Sequence, residues 1–358
     1  MAGTSLKIAS IVGARPQFVK CAPLSRLLRL KHREVLIHTG QHYDENLSQI
    51  FFEQLGIAKP DYNLEVGSES HGEQTGLMLE RAEEVLLKEN PHLALVYGDT
   101  NTTLAGALAA AKLCIPVVHV EAGLRSFNRR MPEEINRILT DRLSSLLFCP
   151  TQTAVTNLKR EGIAEGVHNT GDVMYDAVLH NARKAQRICK ILDFLDLRPG
   201  EYYLVTIHRA SNTDEPGNLN KILTALEQLR LPAVFPIHPR TRKALQALKR
   251  RPGKTSFLRL IDPVGYLDML VLEKWARKIL TDSGGVQKEA YFLGVPCITL
   301  REETEWVETL QGGWNMLVGT DPQAIGQALL LDPPKIPQRN VFGDGHAAEK
   351  MVALLDRL

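Results

Sequence analysis

The 358 residues, 44 % apolar and 23 % charged, suffice for two globular cores and have an ordinary folded composition. A net charge of +2 excludes the strong field that would argue for nucleic acid or an acidic membrane as partner. Cys21, Cys114, Cys149, Cys189 and Cys297 are odd in number, widely spaced and mostly set in apolar runs. They read as reduced core residues of a cytoplasmic protein, not a disulfide framework or a Cys-x-x-Cys metal site.

Residues 6–12 read as a strand, entered directly from the N-terminus with no signal peptide. Gly13, Ala14, Arg15 and Pro16 turn it into a helix reaching about residue 30. Residues 35–39 form the next strand, 45–55 a helix, and 72–90 a long helix stopped by Pro91. Strands at 93–97, 116–121 and 146–149 alternate with helices at 102–113, 133–143 and 153–161. A largely helical stretch, 170–199, leads to a second series. Its strands are 202–207, 233–237, 257–260, 275–280 and 297–299, and its helices 218–228, 241–250 and 285–293. No apolar run reaches the roughly 18 residues of a membrane span. The expected architecture is α/β, with two Rossmann-like domains facing a cleft, residues 1–171 and 172–345. The final helix, 346–358, crosses back to the first domain.

In open parallel sheets ligands bind beyond the carboxyl ends of the strands. That rule singles out the stretch Asp282, Ser283, Gly284, Gly285, where a strand turns into a helix. Unpartnered N–H groups at the positive end of a helix favour phosphate, and glycines let a diphosphate approach closely. An ordinary capped helix start would use the same residues. Glu289, one turn on, is suited to ribose hydroxyls. Arg15 with Lys20 would suit a phosphate or a leaving diphosphate, although Lys20 alone reads more readily as surface charge. The first turn lacks Gly-x-Gly-x-x-Gly, which excludes a nicotinamide dinucleotide there. Asp99 and Glu121 end apolar strands, where partial desolvation makes a carboxylate a proton carrier. Glu133 and Glu134 open a helix, a position that stabilises acids regardless of function. Residues 124–131, with Arg125, Arg129 and Arg130, form a loop able to close over a ligand. His208, with Arg209, and His238 follow apolar strands as candidate proton shuttles. No zinc spacing and no Gly-x-Ser-x-Gly elbow occurs.

These motifs, in this order, resemble the non-hydrolysing UDP-N-acetylglucosamine 2-epimerases across nearly the whole chain. The resemblance rests on Gly13-Ala14-Arg15-Pro16, Thr39-Gly40-Gln41-His42, Tyr97-Gly98-Asp99-Thr100 and His119-Val120-Glu121-Ala122-Gly123-Leu124-Arg125. It extends through Pro132-Glu133-Glu134 with Asn136-Arg137, Thr206 with His208-Arg209, and Asp282-Ser283-Gly284-Gly285. It implies the glycosyltransferase-B fold, with UDP held mainly by the C-terminal domain. It also implies elimination of UDP across C1–C2 to a 2-acetamidoglucal, then re-addition with inverted C2, without nicotinamide or metal. The catalytic set it carries over is Asp99, Glu121, Glu133 and His208, with the acid that takes the C2 proton left open. The substrate-binding set is Arg15, Lys20, Gln41, His42, Arg137, Met269, Ser283, Gly284, Gly285, Glu289 and Trp306. A cytoplasmic homodimer acting on a UDP-sugar is implied, with no nucleic-acid or membrane partner. Gln41 and His42 also match in part a regulatory UDP-GlcNAc site found in some members.

The chain departs from the common family pattern at Trp306, where many members have arginine, at Ser211, where many have glutamate, and at Gln17, commonly glutamate. This pattern resembles a subgroup that includes epimerases of 2,3-diacetamido-glucuronate sugars, so that sugar is the alternative substrate. Trp306 is expected either to face the sugar or to pack its loop. The alternative class is a glycosyltransferase of the same fold, against which the three acids argue.

Overall fold

Strands alternate with helices throughout the computed structural model, which describes residues 5–40, 52–67, 69–248 and 257–358. The chain divides into two units, Met1–His180 with Asn340–Leu358, and Asn181–Arg339.

The first unit is built from β1 (Lys7–Val12), α1 (Arg15–Lys31), β2 (Arg33–His38), β3 (Tyr62–Asn63), α2 (His71–Glu89), β4 (Leu93–Tyr97), α3 (Asn101–Lys112), β5 (Val117–Val120), α4 (Pro132–Leu143), β6 (Leu146–Cys149), α5 (Gln152–Arg160) and β7 (Val167–Asn169). Its sheet has the order β3-β2-β1-β4-β5-β6-β7, with every pairing parallel. The order reverses between β1 and β4. Open parallel sheets bind their ligands beyond the strand ends at such a reversal. The turns after these strands carry Arg15 and Asp99.

The helix α6 (Val173–Ile188) leads into the second unit. That unit contains α7 (Ile191–Phe194), β8 (Tyr203–Thr206), α8 (Ala210–Thr213), α9 (Pro216–Leu226), β9 (Ala233–Pro236), α10 (Pro239–Ala247), β10 (Leu258–Ile261), α11 (Tyr266–Lys274), β11 (Lys278–Thr281), α12 (Gly284–Leu293), β12 (Cys297–Thr299), a 3₁₀ segment (Val307–Gly313), β13 (Asn315–Leu317) and α13 (Pro322–Leu330). Its parallel sheet runs β10-β9-β8-β11-β12-β13 and reverses between β8 and β11. The turns after those two strands carry His208 and Ser283.

Both faces of the second sheet are covered. Tyr203, Val205, Leu280 and Ile298 enter one apolar cluster, while Tyr202, Leu204, Ile279 and Cys297 enter another. Successive residues of a strand face opposite ways, so a doubly covered strand must be apolar at every position. That is why these strands read as continuous apolar runs.

The last helix, α14 (Ala347–Leu355), packs on α1 in the first unit. Lys31 Nζ lies 2.6 Å and His32 Nε2 3.0 Å from the Asp356 carboxylate. The Asp176 carboxylate accepts from the Ala348 N–H at 2.8 Å, filling one of the donors a helix start leaves open.

The α/β class is as expected, with differences in detail. The strand expected at 275–280 begins at Lys278, because Trp275 still closes α11 through its N–H to the Val271 carbonyl at 3.2 Å. The α11 helix was hidden because Tyr266, Leu267, Leu270, Val271 and Leu272 leave it almost no polar stripe. The short β3, β7 and β13 give no alternation to read. The helix expected at 45–55 falls mainly outside the described residues. All five cysteines are free, with Cys21, Cys149 and Cys297 buried and Cys114 exposed. No helix among the described residues is long and apolar enough to cross a membrane.

Gly13 sets how closely β1 can approach its neighbours. A Cβ there would lie 2.1 Å from Thr39 Oγ1 and 2.2 Å from Thr102 Oγ1, which bond each other at 2.8 Å. Gly13→Ala is therefore expected to lower stability by about 1–3 kcal/mol, the usual cost of overpacking. A reduced urea midpoint would register it, and an unchanged midpoint would contradict the crowding.

Candidate active site

In the first unit, Gln17 organises the turn after β1. Its Oε1 accepts from the N–H groups of Gly13 and Ala14 at 2.8 and 2.9 Å. Arg15, at the start of α1, is partly exposed beside this turn. One turn further, Lys20 is buried and its ammonium pairs with Glu121, also buried. Gly98 makes the approach possible, since a Cβ there would sit 2.9 Å from Lys20 Nζ and 3.6 Å from Glu121 Oε1. Glu121 itself has φ +77°, a left-handed conformation that a β-carbon resists. Its N–H and that of Ala122 both donate to the Phe148 carbonyl, at 3.1 and 3.0 Å, which holds the bend.

Asp99 pairs with Arg137 on α4, Oδ2 to Nη2 2.6 Å. Arg137 is buried and also reaches Glu134 at 3.2 Å. Glu134 in turn accepts from the N–H groups of Ser126 and Phe127, both at 2.9 Å, so it holds the 124–131 loop. Arg125, expected on a free loop, is instead bound into the interior by Asp141 and Glu161, each at 2.7 Å. Glu133 stands partly exposed on the first turn of α4. Gln41 and His42 lie outside the described residues.

In the second unit, Asp282 is fully buried and ties two strand ends together. It accepts from the His208 N–H at 3.0 Å, the Arg209 N–H at 3.0 Å and Asn212 Nδ2 at 3.1 Å. His208 Nδ1 stands 3.7 Å from the same carboxylate, with 39 % of the side chain exposed. Desolvation by the enclosing protein draws the His208 imidazole below its ordinary range. Asp282 opposes that shift, and Arg209 and Arg240 add to it. The His238 ring lies 5.5 Å from His208, but its Nδ1 accepts from the Arg240 N–H at 3.2 Å and so caps α10.

Ser283 is the N-cap of α12, accepting from the Val286 N–H at 3.5 Å. Glu305 and Trp306 cover Gly284, where a Cβ would lie 2.5 Å from Glu305 Oε1 and 3.3 Å from Trp306 Nε1. The Lys288 ammonium sits 3.8 Å above the Trp306 ring, and both residues are buried. A cation over an indole face at this distance is attractive. The Trp306 loop is further fixed by Thr304 Oγ1 to Gln287 Oε1 at 2.8 Å and by Arg301 to Glu305 at 3.0 Å. Trp306 therefore packs its loop onto the start of α12. Glu289 is 5 % exposed, and Glu273 of α11 is wholly buried. Burial lifts Glu289 to about 7, against the pull of Tyr266, Glu273 and Lys288. Burial first, then Glu289, lifts Glu273 well above the carboxylate range. Met269, on the same helix as Glu273, packs against the apolar cluster beneath.

In sequence, Asp282 and Gln17 are named without a holding role, and Asp141 and Glu273 are not singled out. Asp282 gave a signal, as an acid at the end of an apolar strand. The others contact partners far along the chain.

Comparison with known proteins completes the picture. The family described as UDP-N-acetylglucosamine 2-epimerase matches residues 27–356. The chain is 54 % identical to a UDP-N-acetylglucosamine 2-epimerase homolog of Methanococcus maripaludis, over 99 % of this chain and 100 % of that one. It is 48 % identical to the UDP-2,3-diacetamido-2,3-dideoxy-D-glucuronate 2-epimerase of Pseudomonas aeruginosa, again over 99 % and 100 %. The crystal structure of Methanocaldococcus jannaschii UDP-GlcNAc 2-epimerase in complex with UDP-GlcNAc and UDP superposes with a TM-score of 0.93. It is 46 % identical, covering 99 % of this chain and 100 % of that one. The chain therefore belongs to the UDP-N-acetylglucosamine 2-epimerase family, isomerases of the glycosyltransferase-B fold.

Proposed function

We propose that this chain interconverts UDP-N-acetylglucosamine and UDP-N-acetylmannosamine. A base takes the C2 proton, the C1–O bond breaks with its electron pair leaving on the UDP oxygen, and a C1=C2 bond forms. Return of a proton to the other face of C2, with attack of the same UDP oxygen on C1, completes the inversion. The observation that carries this reading is the set of groups at the reversal point of the first sheet. Asp99 paired with Arg137 and Glu121 paired with Lys20 end neighbouring strands. The carboxylates are the groups that could take the C2 proton, and the cations beside them favour charge on a departing diphosphate. Glu133 completes the proposed acids, and Arg15 and Lys20 the proposed phosphate contacts. In the second unit the N-terminus of α12, with Ser283, Gly284 and Gly285, suits the diphosphate, and Glu289 suits the ribose. His208 serves as proton shuttle at the reversal point of that sheet. The working form is proposed to be a homodimer.

A second reading of the sugar is favoured by the 48 % identity to the diacetamido-glucuronate epimerase. With Trp306 packed against Lys288 and Gly284, substrate choice between these two sugars is assigned to other residues. Trp306→Arg is expected to lower thermal stability with the kcat/KM ratio for the two substrates unchanged. A ten-fold change in that ratio, about 1.4 kcal/mol, would return Trp306 to the sugar site.

Incubation with UDP-GlcNAc in D2O, followed by NMR, tests the reaction. Inverted C2 carrying deuterium, with UDP still attached, is expected; free sugar or transfer to an acceptor would refute it. Asp99→Asn and His208→Ala are each expected to lower kcat by ~10²-fold or more with a small change in melting temperature. Near-normal turnover would remove that residue's role.

The Glu273–Glu289 pair makes stability depend on pH. Between the ordinary carboxylate value of 4.5 and about 7, folded Glu289 keeps a proton that the unfolded chain has lost. Its stabilising share is full below 4.5 and declines as pH rises through about 7, by roughly 1.4 kcal/mol per unit per proton. Glu289→Gln is expected to flatten the fall of melting temperature between about pH 5 and 8. An equally steep fall in the variant would show that Glu289 does not keep the proton.

A further inference from the structure

The ladder between β4 and β5 ends at Tyr97 opposite Val120, and the segment beyond it carries Asp99. A strand end past its last rung has carbonyls without ladder partners. Here three consecutive carbonyls each accept from side chains of other elements. The Tyr97 carbonyl takes Gln17 Nε2 of α1 at 2.9 Å and Thr103 Oγ1 of α3 at 2.7 Å. The Gly98 carbonyl takes His119 Nε2 of β5 at 2.7 Å, and the Asp99 carbonyl takes Asn136 Nδ2 of α4 at 3.0 Å. The Gly98 N–H donates to the Val120 carbonyl at 3.0 Å, so Gly98 is held through both its N–H and its carbonyl.

The donors are oriented in their turn. A carbonyl only accepts, so His119 Nε2 carries a hydrogen. Its Nδ1 faces Asp141 Oδ1 at 2.7 Å, and both His119 and Asp141 are wholly enclosed. Asp141 also accepts from the Gly123 N–H at 3.2 Å, two residues after Glu121, and from Arg125 at 2.7 Å. One His–Asp pair thus ties the segment of Asp99 to the segment of Glu121. Gln17 does the same for the Arg15 turn. Its oxygen takes the Gly13 and Ala14 N–H groups, which turns its amide nitrogen toward Tyr97.

We propose that His119 and Gln17 are positioning residues that touch no substrate. Through the carbonyls of Tyr97 and Gly98 they fix the Asp99 carboxylate relative to Glu121 and Arg15. The proposal rests on the reading of Asp99 as a group of the reaction. Proton transfer is sensitive to placement, and an error near 1 Å can cost ~10²-fold. The interior of β4 needs no such donors because the ladder satisfies it; they begin where the ladder stops, immediately before Asp99.

The test uses the full chain with His119→Phe, which keeps ring volume, and Gln17→Met, which keeps side-chain length. UDP affinity is measured by calorimetry, with KM, kcat and deuterium entry at C2 of UDP-GlcNAc. Expected are a UDP Kd and KM within about 3-fold of the parent and a kcat and C2 exchange rate reduced about 10-fold or more. Combining either change with Asp99→Asn is expected to add little, because both act through one group. Unchanged kcat, losses that multiply with Asp99→Asn, or equal loss of UDP affinity and turnover would overturn the proposal. If His119→Phe does not fold, Gln17→Met decides by the same criteria. Asp99→Asn at parental turnover would overturn the reading of Asp99 and this proposal together. An inactive Asp99→Asn beside a fully active Gln17→Met would overturn the proposal alone.

Discussion

Covering a parallel sheet on both faces leaves polar side chains few places to go. In the second unit, alternate residues of each central strand disappear into opposite apolar clusters, so its strands are apolar along their length. Thr206, Thr281, Asp282 and Thr299 are polar exceptions at or just past the carboxyl ends, while Lys278 opens β11 with its ammonium on the Ala328 carbonyl. Reversal of strand order then decides which ends have space beside them. In each unit the reversal selects two turns, Arg15 with Asp99 in one and His208 with Ser283 in the other. Other buried polar groups, such as His119 with Asp141 and Ser10 with Glu34, are held by one another within the interior.

Bringing charge to such places carries a desolvation penalty, and the chain offsets it by pairing. Lys20 meets Glu121, Arg137 meets both Asp99 and Glu134, and Arg125 meets Asp141 and Glu161. These pairs also set geometry. Arg137 lies between the strand end of Asp99 and the carboxylate that holds the 124–131 loop. Glu121 holds a left-handed backbone that an apolar environment alone would not select; the Phe148 carbonyl fixes the two N–H groups that flank it.

Two of the departures from the common family pattern, Gln17 and Trp306, find physical settings. Gln17 both accepts and donates, and a carboxylate in its place could not donate to the Tyr97 carbonyl. Trp306 offers a ring face to the Lys288 ammonium, where an arginine would set two buried cations together. Glu289 shows a different balance: it is an acid whose burial lifts it to about 7 against the pull of its neighbours.

The sequence by itself determined the class of fold, most element positions and the turns that matter. Apolar runs, glycines and prolines act locally, so the ends of β1, β4, β5, β8 and β11 were legible, and with them Arg15, Asp99, Glu121, His208 and Ser283. It did not distinguish a loop-packing Trp306 from a sugar-facing one, nor a free Arg125 from a buried one. Nor did it reveal α11, whose apolar surface has no stripe. Tertiary structure buried Arg125, formed α11 and set Trp306 on Lys288, because these depend on residues brought together across the chain, as are Gln17 with Tyr97, His119 with Asp141 and Asp282 with His208. A hydrogen bond between residues 80 positions apart leaves no periodicity in the sequence. Only the packed sheets, by bringing strand ends side by side, decide which donor faces which carbonyl.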